Sequence, residues 1–64
     1  MPKSLINWTA KRAGGKITIT AVDKATNEPV KIIGVETIRS GVVDDGLRLP
    51  PLATRFDGAE YWLE

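Results

Sequence analysis

The chain has no cysteine and no histidine, and these two absences narrow its chemistry more than any motif does. Without cysteine there is no disulfide and no thiolate nucleophile. Without histidine there is no ordinary acyl-transfer triad, and a structural zinc ion loses both of its preferred donors. Aromatic residues are few: Trp8, Phe56, Tyr61 and Trp62 are all there are. Nowhere is there a run of about 20 apolar residues, the length that crosses a bilayer as a helix. The opening Met1-Pro2-Lys3-Ser4 leads into only two aliphatic residues and so lacks the apolar centre of a secretory leader. A cytoplasmic location, without membrane association, is the expectation.

What remains is a chain of 64 residues, enough for one domain spanning 1–64 and one thin core. Chains of this size bury only about 60% of the surface their unfolded form exposes. With disulfides and zinc excluded, the remaining way to gain burial is contact with a second copy or another protein. Formal net charge is +1, but residues 1–31 carry six cationic against two acidic side chains and residues 32–64 carry three against six. A compact fold that interleaves the halves cancels most of this asymmetry; a segregated one leaves a basic and an acidic face.

The periodicity is that of strands. In Lys16-Ile17-Thr18-Ile19-Thr20-Ala21-Val22, Ile17, Ile19 and Ala21 alternate with Thr18, Thr20 and Val22, and β-branched residues fill most of the run. A polar segment, 23–28, then separates it from Pro29–Ile38, which together predict a hairpin with Pro29 as the first residue of its second strand. That second run breaks register: Val30 and Ile32 share one face, Ile33 and Val35 the other. An extra residue at Ile33-Gly34 would return Val35 to the core side, the signature of a β-bulge.

Upstream, 5–10 predicts a short strand with Ile6 and Trp8 on one side, ended by a reversal in Lys11-Arg12-Ala13-Gly14-Gly15-Lys16. A helix over 4–13, capped by Ser4, competes with it, but Asn7-Trp8-Thr9 are poor helix formers. Downstream, Asp44-Asp45-Gly46 predicts a turn and Asp57-Gly58 a hairpin. Leu47-Arg48-Leu49-Pro50-Pro51-Leu52 reads as a flap closing the barrel mouth or, alternatively, as an extended arm. The sum is an all-β domain: five or six short strands in meander order, forming a small SH3-like or OB-like barrel, closed or half-open.

Catalysis finds little support, because carboxylates are the remaining ordinary acid–base groups, and Asp44, Asp45 and Asp57 sit in turn signals. Asp44 and Asp45 could hold magnesium, but adjacent aspartates beside glycine are more simply a solvated turn. No cofactor or metal is expected. The best binding candidate is the basic glycine turn, where Lys11, Arg12 and Lys16 surround Gly14 and Gly15 and Trp8 lies just upstream. Arginine clamps phosphate with paired hydrogen bonds and lysine supplies a point charge. The bland alternative is a hairpin turn with solvated charges. Tyr61 and Trp62, adjacent on a strand, must point to opposite faces. With Leu47 and Leu49 they are the candidate interface residues.

The layout of a short strand, Lys11-Arg12-Ala13-Gly14-Gly15-Lys16, Ile17-Thr18-Ile19-Thr20, a polar hairpin and a late Asp57-Gly58 hairpin ending near Tyr61 resembles the small orphan accessory proteins of tailed phages and prophages. That resemblance implies a non-enzymatic protein, in the host cell cytoplasm, that sequesters or inhibits a host defence factor, with a nucleotide or other phosphate-bearing ligand as one target. Two alternatives stand beside it: a single-stranded nucleic-acid-binding barrel, and a structural subunit or interaction module of a larger assembly.

Overall fold

A computed structural model describes residues 2–41 and 43–64. It contains seven strands: β1 (Lys3–Ala13), β2 (Lys16–Asp23), β3 (Pro29–Arg39), β4 (Val43–Asp44), β5 (Leu47–Arg48), β6 (Leu52–Arg55) and β7 (Glu60–Leu63). Five of them close a barrel in the order β1-β2-β3-β6-β7, and β4-β5 forms a separate two-stranded ribbon. The alternating pattern is therefore satisfied as a closed all-β barrel. Residues 4–13 are strand, and among the described residues no helix is long and apolar enough to cross a membrane.

Closure follows from parity. Each barrel strand is antiparallel to the next, so the first and fifth run in the same direction, and the barrel closes through a parallel pairing of Lys3–Leu5 with Tyr61–Leu63. The cross-strand row that starts at Arg12 passes Ile17, Val35 and Arg55 and returns to β1 near Lys3, most of a strand length away. Such a stagger goes with strongly tilted strands and a narrow interior that side chains alone can fill. Leu5, Ile17, Ile19, Ala21, Val35, Ala53 and Leu63 fill it, with Trp8, Val30, Ile32, Ile38 and Tyr61 packed around them.

Three register shifts interrupt the barrel ladders; one lies between Val35 and Thr37 of β3 opposite β6, and the other two set which residues enter the core. Between Ile17 and Ile19, β2 advances two residues while β3 advances three, from Ile32 to Val35. The extra residue lies at Ile33-Gly34, where Gly34 has φ +67°, as the broken pattern predicted. Ile33 is left 60% exposed while Val35 is fully buried. The second bulge carries no comparable signature in the sequence. Between Ile6 and Thr9, β1 gains one residue over β2, and Asn7 takes φ +52°, a left-handed conformation that asparagine tolerates better than most residues. Trp8 is thereby turned toward the core, whereas Ile6 pairs with Val22 on the outside. The expected sharing of one face by Ile6 and Trp8 is corrected accordingly.

The turns use three chemistries. Gly14-Gly15 and Asp45-Gly46 are two-residue reversals with both φ values positive, the geometry that matches strand twist. At 24–27 the buried carboxylate of Asp23 accepts from the Ala25 N–H at 2.8 Å, and the chain leaves through a left-handed Asn27. The β6–β7 hairpin does form at Asp57-Gly58, but over a longer loop. The Gly58 N–H donates to the Arg55 carbonyl, Gly58 alone has positive φ (+92°), and Asp57 Oδ1 accepts from the Ala59 N–H at 3.0 Å.

Residues 47–52 do not form a flap. Leu47 and Arg48 pair with Val43 and Asp44, and among the described residues the ribbon packs against no other strand. Val43 is 64% and Leu47 70% exposed. Beyond the ribbon, Leu49–Pro51 returns half-buried, and the Pro51 carbonyl accepts from the Leu63 N–H at 2.8 Å.

Candidate functional site

The site begins with strand alternation. Antiparallel partners point to the same side of a sheet, so the pairs Thr9–Thr20, Lys11–Thr18, Ala13–Lys16 and Thr20–Lys31 place one set of side chains together on the outside of β1, β2 and β3. The same alternation sends Ile17, Ile19 and Ala21 into the core. An open groove of about 360 Å³ lies on this outer face, lined by Thr9, Lys11, Ala13, Thr18, Thr20 and Lys31.

Lys11 and Lys31 sit on the two strands that flank β2, about 10 Å apart laterally at ordinary strand spacing. Their stems can converge over Thr18 and Thr20, whose hydroxyls each offer a donor. Lys16 shares the face next to Ala13 and extends the positive charge toward the hairpin tip. No carboxylate lines the groove. The ion pairs of the described residues join Lys3 to Asp23 at 3.8 Å, Lys24 to Glu64 at 2.6 Å and Arg55 to Asp57 at 3.4 Å. None of them involves Lys11, Arg12, Lys16 or Lys31. Charge cancellation between the two halves of the chain is thus local: of these three pairs the Lys24–Glu64 pair alone crosses between them, and none lies on the groove.

The six residues expected at the basic glycine turn divide between two faces. Only Gly14 and Gly15 form the turn, because β1 runs on to Ala13 and β2 begins at Lys16. Lys11 and Arg12 are therefore strand neighbours and point to opposite sides: Lys11 into the groove, Arg12 with Ile17 on the core-facing side beyond the barrel's end. Trp8 packs against the core and contributes no ring to the groove. Of the expected set, Lys11 lines the groove, Lys16 borders it, and Gly14-Gly15 closes the hairpin that carries both.

Thr9, Ala13, Thr18, Thr20 and Lys31 were not anticipated. Lys31 was accessible by counting outward from the 24–27 loop, since a hairpin closed by Asp23 and Glu28 brings Thr20 opposite Lys31. The four candidate interface residues are also dispersed. Tyr61 packs against the core, Trp62 lies half-buried beside Leu52 and Ser4 on the outer surface, Leu47 is on the ribbon and Leu49 is half-buried after it. Tyr61 and Trp62 do take opposite faces, as alternation required.

The ionisable side chains that line the groove are the lysines Lys11 and Lys31; no carboxylate, histidine or cysteine stands on it. Among the described residues no group of three or more metal-ligating side chains is present. No family model, curated protein or solved structure matches this chain.

Proposed function

We propose that this chain is a non-catalytic binding domain whose outer β1–β3 face takes a phosphate-bearing ligand, and that it acts by sequestering that ligand or blocking the host factor that carries it. The observation that carries the reading is the placement of Lys11 and Lys31 on either side of β2, over threonine hydroxyls and without a carboxylate in the groove. Lysine ammonium groups supply point charges for phosphate oxygens, and hydroxyls complete the hydrogen bonding. The groove has no aromatic ring, so recognition is of phosphate rather than of a stacked base. The sequestering role, in a host cytoplasm, is the one implied by the resemblance to small phage accessory proteins.

Fluorescence anisotropy with a labelled nucleoside diphosphate and a labelled oligonucleotide, each measured across salt, tests this. Binding at low salt is expected, with Lys11→Ala and Lys31→Ala each weakening it about tenfold. For the oligonucleotide each substitution should also lower the salt slope by roughly one. Absence of binding to both probes at low salt, or binding unaffected by either substitution, would overturn the proposal.

A further inference from the structure

We propose that the free edge of β1, Asn7–Ala13, pairs antiparallel with the same edge of a second copy of the chain, joining two cationic grooves into one. The joining of the grooves rests on the phosphate reading above; the strand pairing does not.

The barrel closes through only a short stretch of β1. On one side β1 pairs with β2 from Leu5 to Ala13, while on the other β7 reaches only Lys3–Leu5, with one further bond from the Glu64 N–H to the Leu5 carbonyl. On the edge of 7–13 that faces away from β2, no strand is paired among the described residues. That leaves about 20 Å of backbone donors and acceptors open, and an open edge of this kind is a template for another strand. Ala10, Lys11, Arg12 and Ala13 are all exposed along it.

Register selects a second copy as the occupant. A symmetric antiparallel pair centred on Ala10 matches Asn7 with Ala13 and so covers the open edge end to end. It sets Lys11 opposite Thr9 of the second copy on the groove side, and Arg12 opposite Trp8 of the second copy on the core-facing side. The guanidinium then meets an indole, twice by symmetry, and no like charges oppose each other. Competing registers fail on the same residues. A slip by one residue sets the core-facing side of one copy against the groove side of the other. Centring on Lys11 opposes that lysine to itself. Centring on Thr9 drives Ala13 against Leu5, whose edge β7 already occupies. The favoured pairing makes a continuous six-stranded sheet, β3-β2-β1 followed by β1-β2-β3 of the second copy, with Thr9 and Lys11 of both copies side by side.

Sedimentation velocity on the full chain without ligand, together with one engineered thiol, tests the pairing. A dimer is expected. Ala10→Cys, in a chain with no other cysteine, should cross-link to itself under mild oxidation, because residues at the two-fold lie within disulfide reach. Thr20→Cys, in the middle of the sheet, should not. Arg12→Glu should weaken dimerisation about tenfold or more, while Leu47→Asp should leave it unchanged; circular dichroism establishes that each variant folds. A monomer at the highest soluble concentration overturns the proposal and makes Lys11 and Arg12 guards of a solitary edge. So does a dimer that survives Arg12→Glu and gives no Ala10→Cys cross-link. An unsubstituted dimer that binds neither phosphate-bearing probe at low salt would reject the phosphate reading alone.

Discussion

At both the Gly14-Gly15 turn, which joins β1 to β2, and the Asp45-Gly46 turn, which joins β4 to β5, two successive residues take positive φ, and the second of them, a glycine, has φ +78° in each. The local instruction is the same. The first hairpin nevertheless runs from Leu5 to Asp23 with Ile17, Ile19 and Ala21 buried beneath it, whereas the second pairs only Val43 with Arg48 and Asp44 with Leu47 and packs on no other strand among the described residues. Turn chemistry thus explains where the chain reverses but not what the reversal contributes to stability. A third strand and a buried face decide that, since an isolated two-stranded hairpin is marginal in water.

The largest effect expected from this contrast comes from the buried face itself. Ile19→Ala removes a fully buried side chain and should cost about 2–5 kcal/mol, enough to unfold much of the population of so small a domain. Leu47→Ala, on the ribbon, should stay within about 0.5 kcal/mol. Urea titration followed by tryptophan fluorescence reads both; equal losses would show that the ribbon belongs to the cooperative unit.

A smaller difference is expected from the turns. Gly15→Val forces a β-branched residue into the left-handed region and should destabilise the domain by about 1–2 kcal/mol, which lowers the melting temperature by about 4–16 °C at this chain length. Gly46→Val meets the same φ, yet should leave the melting temperature almost unchanged, because the ribbon opens without the barrel. A matched fall in the two variants would break the comparison.

The smallest effect concerns the seam where β7 meets β1. The Glu64 carboxyl is held below the ordinary carboxylate range, first by the hydrogen bond from Lys24 at 2.6 Å and then by one from Ser4. Its folded-state pKa is therefore depressed. The stability it adds is present above the unfolded value and is lost as pH falls through the lowered one. Glu64→Gln should lower the melting temperature slightly at neutral pH, as suits an exposed ion pair, and leave it unchanged in acid, where the carboxyl is already protonated, so that the acid limb of the profile flattens. A larger effect in acid than at neutral pH would contradict that sign.

Much of this architecture was legible residue by residue. The Ile17-Thr18-Ile19-Thr20 alternation predicts β2 and its buried face, Pro29 opens β3, and the slip at Ile33-Gly34 locates a bulge that places Val35 in the core. Each of these depends on neighbours a few residues away. The Asn7 bulge was not legible, because asparagine inside a strand run is compatible with regular pairing. That one irregularity moved Trp8 from the expected site into the core packing. The basic cluster was misread for a related reason. Lys11, Arg12 and Lys16 are close in sequence, but a strand sends Lys11 and Arg12 to opposite sides once the turn is confined to Gly14-Gly15.

By itself the sequence determined the all-β class, the Gly14-Gly15, 24–27, Asp45-Gly46 and Asp57-Gly58 reversals and the exclusion of thiol and imidazole chemistry. Those follow from side-chain type and a period of two, which act locally. The tertiary structure alone decided that the barrel closes through a parallel β1–β7 pair and that Trp8 faces inward. These depend on register and stagger between strands far apart in the chain, and such quantities are set by how a whole barrel fills its interior.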